Sequence, residues 1–345
     1  MTAAGVTALG LATDPAAGLG ADGGAGRPGR RWADLARATL SVGIAVALIV
    51  LLVRHRALLD AGSDSVAGAD SAWIGVAAAG TILLWTAGTV SQLGSVRPRL
   101  PLFRLFAVQV AATFANHVLP GGSGGLAVNV RFLRRYGLSR GEAVGAVALN
   151  MMAGGVTHTV LLLVALVAAP DALTAALGPG APQRLAGHHP SWELAAVLAV
   201  PLAVLAGWAA RRWGPGALRH VRDQLAVLSA VVRTPRRAAQ LWGGSLAVPM
   251  LHCLTLYAVL LSLGGGVRFL PVALAYLAAS SVSALVPSPG GFGALDVALV
   301  GGLVAVGAPS ATALATVLAY RLLTVWVPLV PGACVLAVLL RRRVI

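Results

Sequence analysis

The sequence predicts an all-α fold: a polytopic membrane helical bundle with two inverted repeats, each containing a Pro/Gly-broken re-entrant hairpin. Three observations support this fold class. The 345 residues are 58% hydrophobic and only 11% charged, whereas an ordinary soluble domain has about 25% charged residues. The apolar residues form long runs that arginine clusters separate. Two segments rich in Pro and Gly interrupt such runs. Together these features indicate an integral membrane protein.

The arginines set the predicted orientation in the membrane. The net charge is +15, and every basic residue is Arg. In a soluble protein this charge would suggest nucleic acid as a partner, but here the arginines flank apolar runs, so we expect none. The positive-inside rule assigns the arginine clusters, and with them both termini, to the cytoplasm. Arg without Lys, with abundant Ala and Gly, indicates a GC-rich genome and hence a bacterial plasma membrane.

The chain divides into a tail and one membrane domain. Residues 1–31 are rich in Gly and Ala and cannot bury a core, so we predict a disordered cytoplasmic tail. Residues 32–345 form a single transmembrane domain. Its first apolar run follows basic residues without a clear cleavage site, which favours an uncleaved anchor over a signal peptide. At about 20 residues per crossing, we predict six full crossings, at residues 38–53, 71–96, 143–170, 192–210, 238–263 and 311–340.

Two hairpins break the apolar pattern, at 119–125 and at 286–296. Broken backbone at membrane depth leaves polar groups unpaired, which costs several kcal/mol per group in lipid. It is tolerated where protein buries it or where it lines a wet cavity. The sequence therefore predicts a cavity for a polar group, although kinks that merely allow close helix packing are the alternative.

The two hairpins belong to repeats at about 102–170 and about 269–340. Pro120 matches Pro287 at an offset of 287 − 120 = 167, and Gly137 matches Gly307 at an offset of 307 − 137 = 170. By the arginine distribution the first repeat starts inside and the second outside. In transporters such an inverted repeat places the binding site near the midplane. Half-helix N-termini at this depth attract anions such as a phosphate.

Ionisable groups at membrane depth usually have a partner or a task. Asp296 and Arg321 are the outstanding pair. One interpretation is a structural ion pair; the other is that Arg321 meets a lipid phosphate while Asp296 gates it or meets a cationic head group. The predicted lipid-binding and transport residues are Asn116, His117, Pro120, Gly121, Gly122, Gly125, Asn129, Arg131, Asn150, His158, Pro287, Pro289, Gly290, Gly291, Gly293, Asp296 and Arg321.

Three of these residues leave alternatives open. His117 ends a helix beside the first hairpin, so it has either a site role or a helix-end hydrogen bond. Asn150 and His158 lie within about 80° of each other on a helix. They either face a cavity together or form a satisfied polar pair in the bundle core.

Catalytic and metal-binding patterns are absent from the sequence. It has no His/Cys cluster with metal-ligand spacing, no Gly-x-Ser-x-Gly turn and no P-loop or Rossmann glycine pattern. We therefore predict no enzyme activity, no cofactor and no metal. Cys253 and Cys334 both lie in apolar segments and are interpreted as packing residues.

The second hairpin carries a family resemblance. Residues 289–296 read Pro-Gly-Gly-Phe-Gly-Ala-Leu-Asp, and Arg321 and a last helix interrupted by Pro328 and Pro331 follow. The pattern resembles the lysylphosphatidylglycerol synthase transmembrane region, the flippase-like domain also found in multiple peptide resistance factors. The resemblance implies a translocase for aminoacylated or other polar-headed phospholipids. The two prolines themselves predict a kink in the last helix.

The resemblance has departures. Leu126 stands where the family often has an acid, and Asn150 and Met151 stand where an Arg is common, so the resemblance does not by itself imply lysyl-lipid specificity. No soluble synthase domain follows Ile345, so aminoacyl transfer is not expected either.

From these features we predict a membrane lipid translocase that moves a polar or charged phospholipid head group between leaflets. Its partner is a membrane phospholipid with an anionic or aminoacylated head group. The alternative is a non-transporting membrane scaffold that partners a separate lipid or envelope synthase.

Overall fold

The computed structural model describes residues 68–118, 123–169, 234–285 and 294–345, together with Val53 and Arg56. Within these ranges the chain is helical and contains no strand, as the sequence predicts. The α-helices are α1 (Ser71–Gly94), α2 (Leu102–Val118), α3 (Ser123–Arg135), α4 (Arg140–Ala168), α5 (Pro235–Ser262), α6 (Phe269–Leu285), α7 (Ala294–Ala305), α8 (Ser310–Arg321) and α9 (Val327–Arg341), with a π-helical turn at Leu322–Trp326 between the last two.

Among the described residues, four helices are long and apolar enough to cross a membrane. They are α1, α4, α5 and the continuous helix Ser310–Arg341 that α8, the π turn and α9 form. These helices match four of the six predicted crossings. The predicted tail at 1–31 and the predicted crossings at 38–53 and 192–210 lie outside the described residues, except for Val53.

Helices α1 and α5 form the closest pair and run antiparallel along their length. Small residues make this possible. A Cβ added at Gly94 would collide with the backbone of Leu241, and one added at Gly244 would collide with the backbone of Ser91. In a membrane the hydrophobic effect does not drive helices together, because lipid tails are as apolar as the side chains. Close backbone approach instead stabilises the pair through van der Waals contact.

One end of the bundle gathers arginines from several helices. At this end the Arg237 side chain donates to the Arg97 carbonyl, and Arg104 Nη1 donates to the Tyr136 hydroxyl at 2.9 Å. The C-terminus of α9 packs into the same cluster as residues 96–100. We call this the arginine end. At the opposite end the Asp70 N–H donates to the Ser262 carbonyl at 2.9 Å.

The apolar residues form two main clusters. One joins α2, α3, the start of α4 and α9. The other joins the ends of α4 and α5 to α6, α7 and α8. In the first cluster α9 lies close against α2, because a Cβ added at Gly332 would stand 2.9 Å from the Phe114 Cβ and 3.0 Å from the Val110 carbonyl oxygen. Each cluster is thus built around one pair of short helices, α2–α3 or α6–α7.

The same turn ends the second helix of each pair. Gly137 has a φ of +88° and Gly307 a φ of +101°, a region that favours glycine. After each glycine a backbone N–H donates to a carbonyl five residues earlier. The Leu138 N–H donates to the Leu133 carbonyl at 3.4 Å, and the Ala308 N–H donates to the Leu303 carbonyl at 3.0 Å. This is the Schellman arrangement. Gly137 and Gly307 thus end their helices with the same backbone turn.

The last helix accommodates its prolines by widening. Pro328 lacks an N–H, and its ring clashes with the carbonyl four residues earlier in an α-helix. Just before it, Leu322–Trp326 forms the π turn, and the Val327 N–H donates to the Leu322 carbonyl. A π turn shifts hydrogen bonds by one residue. The sequence predicted a kink at Pro328 and Pro331; the structure places a π turn directly before Pro328.

Candidate functional site

The clearest candidate site is an ion pair between the two helices that follow the second hairpin. Asp296 lies in the first turn of α7, and Arg321 is the last residue of α8. The turn at Gly307 folds α8 back along α7, which brings Arg321 Nε onto Asp296 Oδ1. The Arg321 side chain is 11% exposed and that of Asp296 is 31% exposed. The structural ion pair predicted as one alternative is thus present.

A cavity of about 490 Å³ adjoins this ion pair. It lies between α7 and α8. Two of the described residues that line it, Asp296 and Arg321, are charged; the others are apolar or glycine, namely Val297, Val300, Gly301, Leu314, Val317, Leu318 and Trp326. The arrangement presents a charged pair at the edge of an apolar space inside a membrane domain. It can hold an amphiphile with its polar group at the pair.

An aromatic cluster supports the helix that carries Arg321. His252 Nδ1 is hydrogen-bonded to the Tyr320 hydroxyl at 2.7 Å. The His252 ring stacks on Tyr276 with centroids 5.5 Å apart, and Tyr276 meets Tyr320 edge-on at 6.2 Å. These contacts join α5, α6 and α8. Because Tyr320 precedes Arg321, the cluster fixes the rotation of α8 and so the direction of the guanidinium group.

His158 and Asn150 face different neighbours. His158 Nε2 lies 3.1 Å from Ser281 Oγ and 3.2 Å from Ser280 Oγ, both on α6. The Ser91 hydroxyl of α1 donates to Asn150 Oδ1 and lies 2.7 Å from the Ser245 hydroxyl of α5. Each side chain is satisfied by another helix. Both are therefore polar contacts of the bundle interior, but they do not form a pair, and neither lines the cavity beside Arg321.

A network of amides joins α2 and α3, the helices on either side of the first hairpin. The Gly125 N–H donates to Asn116 Oδ1 at 2.6 Å, while Asn129 Nδ2 donates to the Gly125 carbonyl at 2.8 Å. Gln109 Nε2 donates to Asn129 Oδ1 at 3.0 Å. Three of the predicted site residues, Asn116, Gly125 and Asn129, are thus brought together, and they connect α2 to α3.

The network continues toward α1 through residues that the sequence analysis missed. Trp85 Nε1 donates to Thr113 Oγ1 at 3.0 Å, and Thr113 Oγ1 donates to the Gln109 carbonyl at 3.2 Å. His117 Nδ1 lies 2.7 Å from the Thr113 carbonyl oxygen, which is the helix-end hydrogen bond left open above. Gln109 and Thr113, four residues apart on one face of an apolar helix, were the available signal.

Glycines let the two helices of this hairpin approach closely. A Cβ added at Gly124 would fall on the Ala115 carbonyl group, and one added at Gly125 would lie 2.7 Å from the Asn116 amide. By contrast, Arg131 on α3 is exposed. The remaining predicted site residues lie outside the described residues: Pro120, Gly121, Gly122, Pro287, Pro289, Gly290, Gly291 and Gly293.

Within the described ranges, no three His, Cys, Asp or Glu side chains come together as a metal site would require. A comparison with curated proteins finds no match. A comparison with protein families matches residues 38–332 to the lysylphosphatidylglycerol synthase TM region. The match covers most of the 345-residue chain, both hairpins and the Asp296–Arg321 pair. This integral membrane protein therefore belongs to the lysylphosphatidylglycerol synthase transmembrane-region family.

Proposed function

We propose that this protein is a lipid translocase that moves a polar or charged phospholipid head group between leaflets. The observation that carries the proposal is the Asp296–Arg321 pair beside an apolar cavity in a membrane domain. Charges at membrane depth are costly and usually mark a substrate path or a fixed partner. Here the pair adjoins space that an amphiphile can occupy, which favours a substrate path.

The ion pair provides a way to exchange partners. Without lipid, Asp296 neutralises Arg321, which limits the cost of holding both charges in a medium of low dielectric constant. A phosphate that reaches the pair competes with the carboxylate for the guanidinium group, whose donors match phosphate geometry. Asp296 is then released to meet a cationic group on the same head group. The carboxylate also occupies the N-terminus of α7, so the anion goes to Arg321 and not to that helix end.

The arrangement of the short helices supports re-entrant hairpins. Helices α2 and α6 have 17 residues each, and α3 and α7 have 13 and 12, against about 20 for a full crossing. Helix α2 starts at the arginine end, beside Arg104, whereas α6 starts at the opposite end, shortly after Ser262. We propose that the two hairpins, with Gly137 and Gly307 at matched turns, form an inverted repeat.

The proposal includes the topology that the sequence predicts. The arginine end faces the cytoplasm of a bacterium, and both termini lie there. Residues 32–345 form one transmembrane domain whose repeats cover about 102–170 and about 269–340. The head group passes between the hairpins, along the predicted site residues, while its tails remain in apolar surroundings. The partner is a phospholipid with an anionic or aminoacylated head group.

A flip assay in proteoliposomes tests the proposal. Fluorescent phosphatidylglycerol is incorporated in both leaflets, and a membrane-impermeant reductant bleaches what reaches the outer leaflet. We expect wild type to expose the inner-leaflet pool and Arg321→Gln to lose this activity. Arg268→Gln, which removes an exposed arginine from the loop between α5 and α6, is the matched control and retains it.

Two results would contradict the proposal. If wild type moved no head group, the scaffold alternative would be favoured. If Arg321→Gln and Arg268→Gln moved lipid equally well, translocation would not depend on the ion pair. Size-exclusion profiles of each variant show whether loss of activity reflects loss of the fold.

A further inference from the structure

The cavity beside the ion pair is an elongated groove between α7 and α8. Helix α8 lines it at Leu314, Leu318 and Arg321, one residue in each turn, which spans about 10 Å at 1.5 Å per residue. Helix α7 runs antiparallel and contributes Val297 and Gly301. The groove therefore extends from Arg321 toward the turn at Gly307, with its charged group at one end.

The groove is open along the side that faces away from the bundle. Val297 is 75% exposed and Leu314 is 51% exposed. Gly301 is exposed as well, and a Cβ added there would meet no atom within 4 Å. Leu314 lies in the apolar helix Ser310–Arg341, a candidate membrane span, so this side faces hydrocarbon. The gap at Gly301 makes the opening wider than an alanine or leucine would allow.

An apolar void open to a bilayer is filled by lipid. Empty space forfeits the dispersion contacts of its lining, and acyl chains are the mobile apolar material around a membrane helix. Water in this space would have to hydrate the valine and leucine side chains, which costs free energy. The lining and the exposure thus select a hydrocarbon chain as the occupant, and the guanidinium group at the end selects a chain that carries an anion.

We propose that the α7–α8 groove holds one acyl chain of the phospholipid whose phosphate meets Arg321. The inference rests on the proposed function and adds a site for the tail. Moving a chain from lipid into an apolar groove gains little free energy, because lipid tails are as apolar as the lining. The groove therefore contributes position, while Arg321 contributes affinity. It holds the lipid in register while the head group is between leaflets.

Photolabelling of the purified protein in liposomes tests the inference. Two probes carry the same acyl chain with a mid-chain diazirine, one on phosphatidylglycerol and one on diacylglycerol, and labelled peptides are identified by mass. In wild type we expect labelling of α7 and α8, stronger with phosphatidylglycerol. Gly301→Leu adds a side chain on the groove side of α7, from a Cβ position with no atom within 4 Å, and we expect it to lower this labelling about tenfold, as an unfavourable contact of about 1.4 kcal/mol would.

Gly155→Leu is the matched control. Gly155 lies on α4, is exposed, and has no atom within 4 Å of an added Cβ. The substitution makes the same change of side chain and of helix propensity on a face away from the groove. We expect labelling of α7 and α8 to stay at the wild-type level. Arg321→Gln should keep the labelling by diacylglycerol and lose the preference for phosphatidylglycerol.

The outcomes separate this inference from the proposed function. Equal labelling in wild type and Gly301→Leu, or labelling only of other helices, would overturn the tail site even if the flip assay succeeded. Groove labelling with the expected preference, in a protein that moved no head group, would retain the tail site and remove the translocase.

Discussion

The two hairpins are held by different kinds of interaction. At the first, neutral amides join the flanking helices α2 and α3, with Gly125 bonded to Asn116 and Asn129. In the second, Asp296 is paired with Arg321 of α8, outside the hairpin. The amide hydrogen bonds link the two helices that flank the hairpin, whereas the ion pair depends on the position of the following helix, α8. The first hairpin is therefore flanked by neutral hydrogen bonds, and the second by an ion pair that reaches the next helix.

Removing one charge of the second hairpin should have the largest effect on stability. Arg321→Gln removes the positive charge that Arg321 places beside Asp296, and we expect a loss of about 4 kcal/mol in the free energy of unfolding. The double variant Asp296→Asn/Arg321→Gln removes both charges and should recover most of that loss. Unfolding in detergent with increasing dodecyl sulfate measures both. Equal destabilisation of the single and double variants would show that the pair is not what joins α7 to α8.

Separating the helices of the first hairpin should have the next largest effect. Gly124→Val places a branched side chain on the Ala115 carbonyl group, so we expect about 3 kcal/mol of destabilisation from overpacking. Gly154→Val on α4, where an added Cβ meets nothing within 4 Å, is the control. Thermal melting followed by size exclusion compares the two. Similar melting temperatures would mean that α2 and α3 do not need this close approach.

Deleting one amide tests whether the first hairpin is held by a network. Asn129→Leu leaves Gln109 and the Gly125 carbonyl without their partner from Asn129, which should cost about 2 kcal/mol. In the double variant Gln109→Leu/Asn129→Leu we expect less than the sum of the two single losses, because the two side chains act on each other. The same unfolding assay measures the cycle. Strict additivity would argue against coupling.

The smallest effect tests what the hairpins share. Gly137→Ala and Gly307→Ala each force a side chain into the left-handed region, at a cost of about 1 kcal/mol. Because both turns have the same hydrogen bonds, the two losses should be equal. Gly301→Ala, at a helical position without a positive φ, should instead gain slightly in stability. Unequal losses at the two glycines would weaken the correspondence between the repeats.

Much of the fold follows from the sequence because apolar length and glycine placement are local signals. The runs at 71–96 and 238–263 contain helices close to their predicted bounds. The sequence also matches Gly137 with Gly307, because each follows a short apolar run after a hairpin. Asp296 and Arg321 were also found, because charges are rare in apolar segments and each points to the other.

The contacts between distant helices were not predictable in the same way. Asn150 was a candidate site residue, but its partner Ser91 lies on α1, and nothing local to Asn150 specifies how the two helices rotate toward each other. The same holds for Trp85 of α1, whose indole N–H donates to the Thr113 hydroxyl of α2. At Pro328 the sequence specifies a lost hydrogen bond, yet either a kink or a widened turn accommodates it. Packing by neighbouring helices decides between them.

The widened turn at Leu322–Trp326 lets one continuous rod serve both halves of the molecule. On the N-terminal side of the turn, α8 places Arg321 beside Asp296. On its C-terminal side, α9 places Gly332 against Phe114 of α2. An extra residue in the turn rotates the lower face by about 100° relative to an unbroken α-helix. In the proposed mechanism, a phosphate that displaces Arg321 therefore acts on a helix that also contacts Phe114 beside the first hairpin. The π turn directly before Pro328 thus lies between the contacts that this helix makes with the two halves of the bundle.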